Sequence, residues 1–306
     1  MKRKLIINHQ RIQMMIAAVV ISLTLSSCLK DTGPIQDFSQ SPPVVSFQGN
    51  GQGSNSQSVA ILASSTQNNP SVDSVELSLG TPSITLGADV KVTITANQSA
   101  LDTYNAANGT NYTMLPSSDY AIGNGGAITI PHGKNLANFA VQFFGSGIDF
   151  TQSYAVPLLI SSASGGGSIV ASNLNYFILI VTPANLYSGN YTAAGTRHLW
   201  VGGTVGTSAG SAAIGGTVTM SFVDDSTSEV QLADLTADAM NLTVHSNNSV
   251  TVGPATSGAP TFASLANYPA GGPSTYDPAA HVFTLNYQYI NGAGNLRTIN
   301  ETLTLQ

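Results

Sequence analysis

The sequence predicts an all-β protein: a β-sandwich with a short helical insert, followed by a second antiparallel β-domain. Three observations carry this. From Val44 onward, apolar and polar residues alternate with period two in several short runs, the signature of strands with one buried face. Clusters of Gly, Ser and Asn separate those runs and supply turn chemistry. One stretch near residue 100 changes to helical spacing. The 306 residues suffice for two modest cores.

The first element is a leader. Met1–Gln13 carries Lys2, Arg3, Lys4 and Arg11 and no acid, and Met14–Leu25 is apolar or hydroxylic throughout. That run has the length of a signal-peptide core and is too short to span a bilayer. It closes on Leu25-Ser26-Ser27-Cys28, and Cys28 is the only cysteine of the chain. A leucine, two small residues and a cysteine in this position resemble a bacterial lipobox. The resemblance implies that residues 1–27 are removed and that the Cys28 sulfur carries a diacylglycerol. Residues 28–43 are polar, contain proline and lack periodicity, so they read as a tether. Lys30-Asp31 partly resembles the export signal of Bacteroidota surface lipoproteins, although Thr32 and Gly33 stand where further acids are usual. The expected location is the outer membrane, lipid-anchored and facing outward, with the lipid as the sole membrane attachment.

Composition excludes some partners. After Cys28 only Lys30, Lys91, Lys134, Arg197 and Arg297 are basic, against all fifteen acids, a formal charge of −10. Nucleic acid is not an expected partner, because its binding begins with a basic face. Charged residues are 8% of the chain, against about 25% in ordinary soluble domains. Ser, Thr, Asn and Gly replace them, which suits neutral sugars and equally suits simple solubility. With one cysteine, no intramolecular disulfide can form.

Residues 44–183 form the first β-domain. Val75, Leu77 and Leu79 alternate with Ser74, Glu76 and Ser78; Val90, Val92 and Ile94 alternate with Lys91 and Thr93; Ala137, Phe139, Val141 and Phe143 alternate with Asn138, Ala140 and Gln142. Tyr154–Ile160 reads as a strand whose Pro157 belongs at an edge or a bulge, since proline donates nothing to a ladder. Leu174–Val181 closes the set. Between these strands Ser99 is a candidate helix cap, Leu101, Tyr104 and Ala107 or Asn108 fall on one face, and Gly109 suits the C′ position.

The segment Tyr104-Asn-Ala-Ala-Asn-Gly-Thr-Asn-Tyr112, with Leu115-Pro116, Tyr120, Ile130-Pro131-His-Gly133, Tyr154-Ala-Val-Pro-Leu158 and Ile160-Ser-Ser-Ala-Ser164, resembles a domain family of Bacteroidota surface lipoproteins. The resemblance spans Val44–Pro183 and implies an immunoglobulin-like sandwich of unassigned function, found in lipoproteins encoded near glycan-uptake systems. The family offers no catalytic or binding residues to carry over.

Thr182-Pro183-Ala184 reads as a boundary, and residues 184–306 as the second β-domain. Its terminal hairpin places Phe283, Leu285, Tyr287 and Tyr289 on one face, turns at Asn291–Gly294 and returns through Ile299 and Leu303. A second hairpin joins Ser221–Val223 to Val230–Leu232. Thr275-Tyr-Asp-Pro278, Phe283–Tyr287 and Arg297–Glu301 resemble C-terminal domains from the same uptake loci.

No enzyme is expected. The three glutamates, Glu76, Glu229 and Glu301, lie on strands, whereas most glycosidases need two carboxylates about 5 to 9.5 Å apart. The 123 residues after Pro183 are half of what a TIM barrel takes, about 250. No metal or cofactor is expected either: His132, His198, His245 and His281 are scattered, and Asp224-Asp225 lacks calcium-loop spacing. The remaining lead is Arg197-His198-Leu199-Trp200. Period two puts His198 and Trp200 on one face and Arg197 and Leu199 on the other. A lone tryptophan in a small β-domain is more often core; the competing reading is a platform on which a sugar ring stacks, with Arg197, His198 or Asp224 adding hydrogen bonds. Tyr187, Tyr191, Tyr268 and Tyr276 are weaker aromatic candidates. The expected role is non-catalytic glycan binding beside an outer-membrane importer; the alternative is a structural or adhesive surface protein that contacts other proteins.

Overall fold

The computed structural model describes residues 41–48, 55–81, 87–233, 235–255 and 264–306. Cys28, the leader and nearly all of the predicted tether lie outside the described residues. Pro42–Gln306 forms one compact unit, and the protein is all-β with two large hydrophobic cores and a smaller third cluster under its helix.

In chain order the first half contains β1 (Val44–Phe47), β2 (Ser56–Leu62), β3 (Ser71–Gly80), β4 (Val90–Ala96), α1 (Gln98–Asn108), β5 (Thr113–Met114), β6 (Tyr120–Ile122), β7 (Ala127–Ile130), β8 (Leu136–Phe143), β9 (Tyr154–Ser164), β10 (Ile169–Val170) and β11 (Tyr176–Ala184). One sheet runs β10-β1-β3-β8-β6 and the other β2-β11-β9-β4-β7, with β5 beside β9. The period-two residues meet between them: Val75, Leu77, Val92, Ile94, Phe139, Val141 and Phe143 are all buried, and Phe47 stacks on Phe177 with centroids 5.8 Å apart.

The second sheet is buried on both faces at its centre, which is why β9 and β11 read as continuous apolar runs. Val156, Leu158, Phe177 and Leu179 face the sandwich, while Ala155 and Ile178 meet Leu101 and Tyr104 of α1. The cap of α1 is Asn97, not Ser99: its Oδ1 accepts from Ala100 N at 2.9 Å. The buried helix face is Ala100, Leu101 and Tyr104, whereas Ala107 and Asn108 are exposed, because the helix lies on the sheet by its first turns. Gly109 ends it in the left-handed region (φ 65°). Asn105 then clamps the following loop, donating to Tyr112 O and accepting from Thr110 Oγ1 and Tyr112 N.

Pro157 is neither on an edge strand nor at the bulge. It sits mid-sheet between β11 and β4, opposite Ile178. Ile178 N turns the other way, to Asn55 O, so the Pro157 nitrogen points towards β4. There β4 has already ended: Pro157 O accepts from Asn97 N, and no ladder bond is lost.

The second half contains β12 (Gly189–Trp200), β13 (Ser208–Phe222), β14 (Thr227–Leu232), β15 (Leu235–Val244), β16 (Val250–Pro254), β17 (Ala266–Asn267), β18 (Thr275–Asp277), β19 (Val282–Ile290) and β20 (Leu296–Leu305). Their order is β16-β15-β14-β13-β12-β20-β19-β17, with β18 also on β19. The hairpin residues Phe283, Leu285, Tyr287, Tyr289, Ile299 and Leu303 are fully buried, against Tyr191, Met240 and Leu242. β11 runs on through Thr182–Ala184, still paired with β2. The chain then passes at Asn185–Ser188 into β12. Asn185 is buried and bonds to the turn after β13, and Phe150 of the first half meets Phe222 with centroids 5.9 Å apart.

Candidate ligand-binding face

The site is the outer face of the sheet β12-β20-β19. Along β12 the odd residues Tyr191 and Ala193 are buried, so the even residues face out. Register then lines up successive cross-strand rows: Ala194–Thr302–Thr284, Thr196–Asn300–Asn286, His198–Thr298–Gln288 and Trp200–Leu296–Ile290. Over the first two rows the 3-10 turn Pro269–Gly271 rises as a wall, leaving an open groove of about 590 Å³.

The groove floor is uncharged and pre-ordered. Asn286 N donates to Ser274 Oγ at 2.9 Å, and that hydroxyl donates to Asn286 O at 3.1 Å. Asn286 Nδ2 donates to Pro273 O at 3.0 Å, while its Oδ1 accepts from Asn300 Nδ2. Asn286 is thereby locked, and Asn300 beside it stays exposed. Thr196, Thr284 and Thr302 add exposed hydroxyls. Tyr268 is half-buried at the wall: its N–H donates to Asn286 O, and a methyl group placed on Gly271 would lie 2.8 Å from its ring. Gly195 is required beneath, since a Cβ there would sit 2.1 Å from Asn300 O. Glu301 contributes only backbone character to this face; its side chain points inward and accepts from Tyr287 Oη at 3.0 Å.

Trp200 is on the same face, half-buried, and outside the core cluster, so the more usual fate of a lone tryptophan does not apply. Its ring stacks on His198 with centroids 4.9 Å apart and 29° between planes, and Nε1 donates to Thr298 Oγ1 at 3.1 Å. Four residues of strand separate it from Thr196, about 13 Å. An extended ligand can reach both; a single small ring cannot.

Arg197 and Asp224 do not join this site. Arg197 alternates to the inner side, level with Ile299. Asp224 lies beyond the far end of the β12–β13 hairpin, roughly 40 Å along the strands from Trp200. There it organises a turn, accepting from Ser226 N, Ser226 Oγ and Thr227 N. Burial alone would raise its pKa, but those hydrogen bonds prevail and hold it below the usual carboxylate value. Tyr191 and Tyr276 are core residues: Tyr276 packs on Phe283 at 4.6 Å, and burial pushes the phenols of Tyr187, Tyr191 and Tyr276 up. The Asn286–Asn300 pair went unrecognised in the sequence, because each is one polar residue in an alternating strand. Only the pairing of β19 with β20 puts them side by side.

Among the described residues no group of three or more His, Cys, Asp or Glu side chains is placed to hold a metal ion, and no described helix is long and apolar enough to cross a membrane.

A family model for an N-terminal domain matches residues 38–167, and its C-terminal counterpart matches residues 175–304. The chain belongs to the Bacteroidota family that its N-terminal motifs resemble. Among solved structures, a protein of unknown function from Bacteroides ovatus is 16% identical and superposes with a TM-score of 0.56 over 87% of this chain and 95% of its own. The fold is therefore shared over nearly the whole of that protein's length. An auxiliary nutrient binding protein from Bacteroides thetaiotaomicron is also 16% identical, with a TM-score of 0.45 over 82% of this chain and 91% of its own. No curated protein matches the chain in sequence.

Proposed function

We propose that this is a non-catalytic, lipid-anchored outer-membrane protein that binds a neutral glycan on the outer face of its second domain and presents it to an importer. The observation that supports this reading is the groove over Asn286 and Asn300: uncharged amides and hydroxyls, already ordered by protein hydrogen bonds, with Tyr268 at the wall and Trp200 further along the same face. Neutral sugars bind through such directional hydrogen bonds combined with stacking on partly exposed aromatic rings. Pre-ordering lowers the entropy cost of making those contacts. The family's place near glycan-uptake systems agrees with this role, and Cys28 would hold the protein at the membrane.

The test uses the chain from Leu29 onward, which contains the whole compact unit, against a panel of plant, host and microbial glycans. Asn300→Ala and Trp200→Ala are run beside it, with fold checked by circular dichroism. A bound glycan lost tenfold or more by Asn300→Ala supports the groove. Binding unaffected by either change removes the site, and no binding to any glycan removes the function. For the anchor, Cys28→Ala in cells should abolish fatty-acid labelling and release the protein from membranes. The alternative, a surface protein that contacts other proteins, draws on a different feature: the long unpaired edge of β13.

A further inference from the structure

β13 pairs with β12 along nearly its whole length, but with β14 only at Ser221 and Phe222. From Ser208 to Thr219 no described strand covers its other side. Every residue of that stretch except Ile214 and Val218 is exposed.

The direction of the free backbone groups follows from register. Gln306 N donates to Asn190 O, so Asn190 turns its polar groups to β20 and Tyr191 turns its own to β13, opposite Val218. Counting in twos, Val218, Gly216 and Ile214 are spent on β12, while Ser211, Ala213, Gly215, Thr217 and Thr219 point outward. Val223 N, which donates to Thr227 O of the strand on that side, fits the same parity.

Exposed edges in natural proteins are usually blunted by lysine, proline or a covering loop. The stretch Ser208-Ala-Gly-Ser-Ala-Ala-Ile-Gly-Gly-Thr-Val-Thr219 has no charge and no proline. A charged partner strand would find no counter-charge in this stretch, and its small side chains offer a large apolar one little contact area. The segment that matches is uncharged and small-sided, and β13 itself is such a segment. Antiparallel pairing about a two-fold axis at Ala213 sets Ser211 against Gly215 and Ala213 against itself, between the positive-φ glycines Gly210 and Gly216. Outward groups then meet outward groups in three pairs, giving about six hydrogen bonds. The acids Asp224, Asp225 and Glu229 lie at the far end of the hairpin, where the net negative charge opposes such contact least.

We infer that the β13 edge joins two copies of this chain into an isologous dimer through a continuous antiparallel ladder. The interface is small, so association is reversible. It does not depend on the glycan reading.

Sedimentation equilibrium of the chain from Leu29 onward, from roughly micromolar to millimolar concentration, tests it. Wild type should pass from monomer to dimer, and hydrogen exchange at Ser211, Ala213 and Gly215 should slow as concentration rises. Ala213→Lys places a charge on the axis, and Ala213→Pro deletes an outward N–H without touching the β12 ladder. Each should weaken association at least tenfold with circular dichroism unchanged. Thr304→Lys, exposed on an interior strand, should leave it intact. A chain that stays monomeric throughout overturns the inference. So does a dimer indifferent to both Ala213 variants.

Discussion

Asn185 is the residue whose loss the structure penalises most legibly. It is 4% exposed and follows directly on the last residue of β11. Its Nδ2 donates to Asp224 O, Thr227 O and Ser228 Oγ at 2.8 to 3.0 Å. Its Oδ1 accepts from Tyr187 N, Ser188 Oγ and Ser228 Oγ, each at 3.0 Å. One amide thus ties the start of the second domain to the turn after β13. Asn185→Ala strands the fully buried Ser228 hydroxyl, while the Thr227 carbonyl keeps the Val223 and Asp224 N–H donors; one orphaned buried group costs about 1 to 3 kcal/mol. A loss of roughly 2 kcal/mol follows, or a fall of about 8 °C in the melting of the second domain. Asn185→Asp should not rescue it at neutral pH, since a carboxylate would face the Asp224 and Thr227 carbonyls. It should recover part of the loss as pH falls and the side chain regains a donor. Thermal unfolding followed by the fluorescence of Trp200, the only tryptophan of the chain, reads this domain. A loss within about 1 kcal/mol of wild type would show that water replaces the amide and would refute the latch.

Three further outcomes are expected. Leu101→Ala empties the contact between α1 and the sheet, where Leu101 is 0% exposed; urea unfolding of the first domain should report a loss of about 2 to 5 kcal/mol. Gly195→Ala forces a methyl group to 2.1 Å from Asn300 O, so the floor of the groove must shift; stability should fall by roughly 1 to 3 kcal/mol, and the Asn300 amide resonances should move by NMR. Asp224 is held below the usual carboxylate value in the fold, so its contribution is present above the unfolded pKa and lost as pH drops through the lowered one. Because the side chain is largely solvated, that contribution is under about 1 kcal/mol, and Asp224→Ala should flatten the acid limb of the stability curve by only this much.

The class of fold and much of its interior were legible in the residue pattern alone. Alternation marked Val75, Leu77, Val92, Ile94, Phe139 and Phe143 as core, and the aromatic series Phe283–Tyr289 as a hairpin face, because burial of one strand face is a local property with period two. The insert at Leu101–Gly109 was legible for the same reason: helical spacing and a glycine stop are local. Its cap lies two residues before Ser99, at Asn97, since both suit a cap and only the end of β4 chooses between them. Pro157 reads as an edge or bulge residue because a sequence does not show where a neighbouring strand stops. Trp200 is the sharpest case. Period two correctly set it with His198 and apart from Arg197, but which of the two faces is buried depends on the partner strands. Asp224 is 24 residues from Trp200 in the chain, yet an antiparallel hairpin carries it to the opposite end. The groove itself was invisible in sequence: Asn286 and Asn300 are fourteen residues apart, and only cross-strand register brings two ordinary polar positions together beneath the Pro269–Gly271 turn.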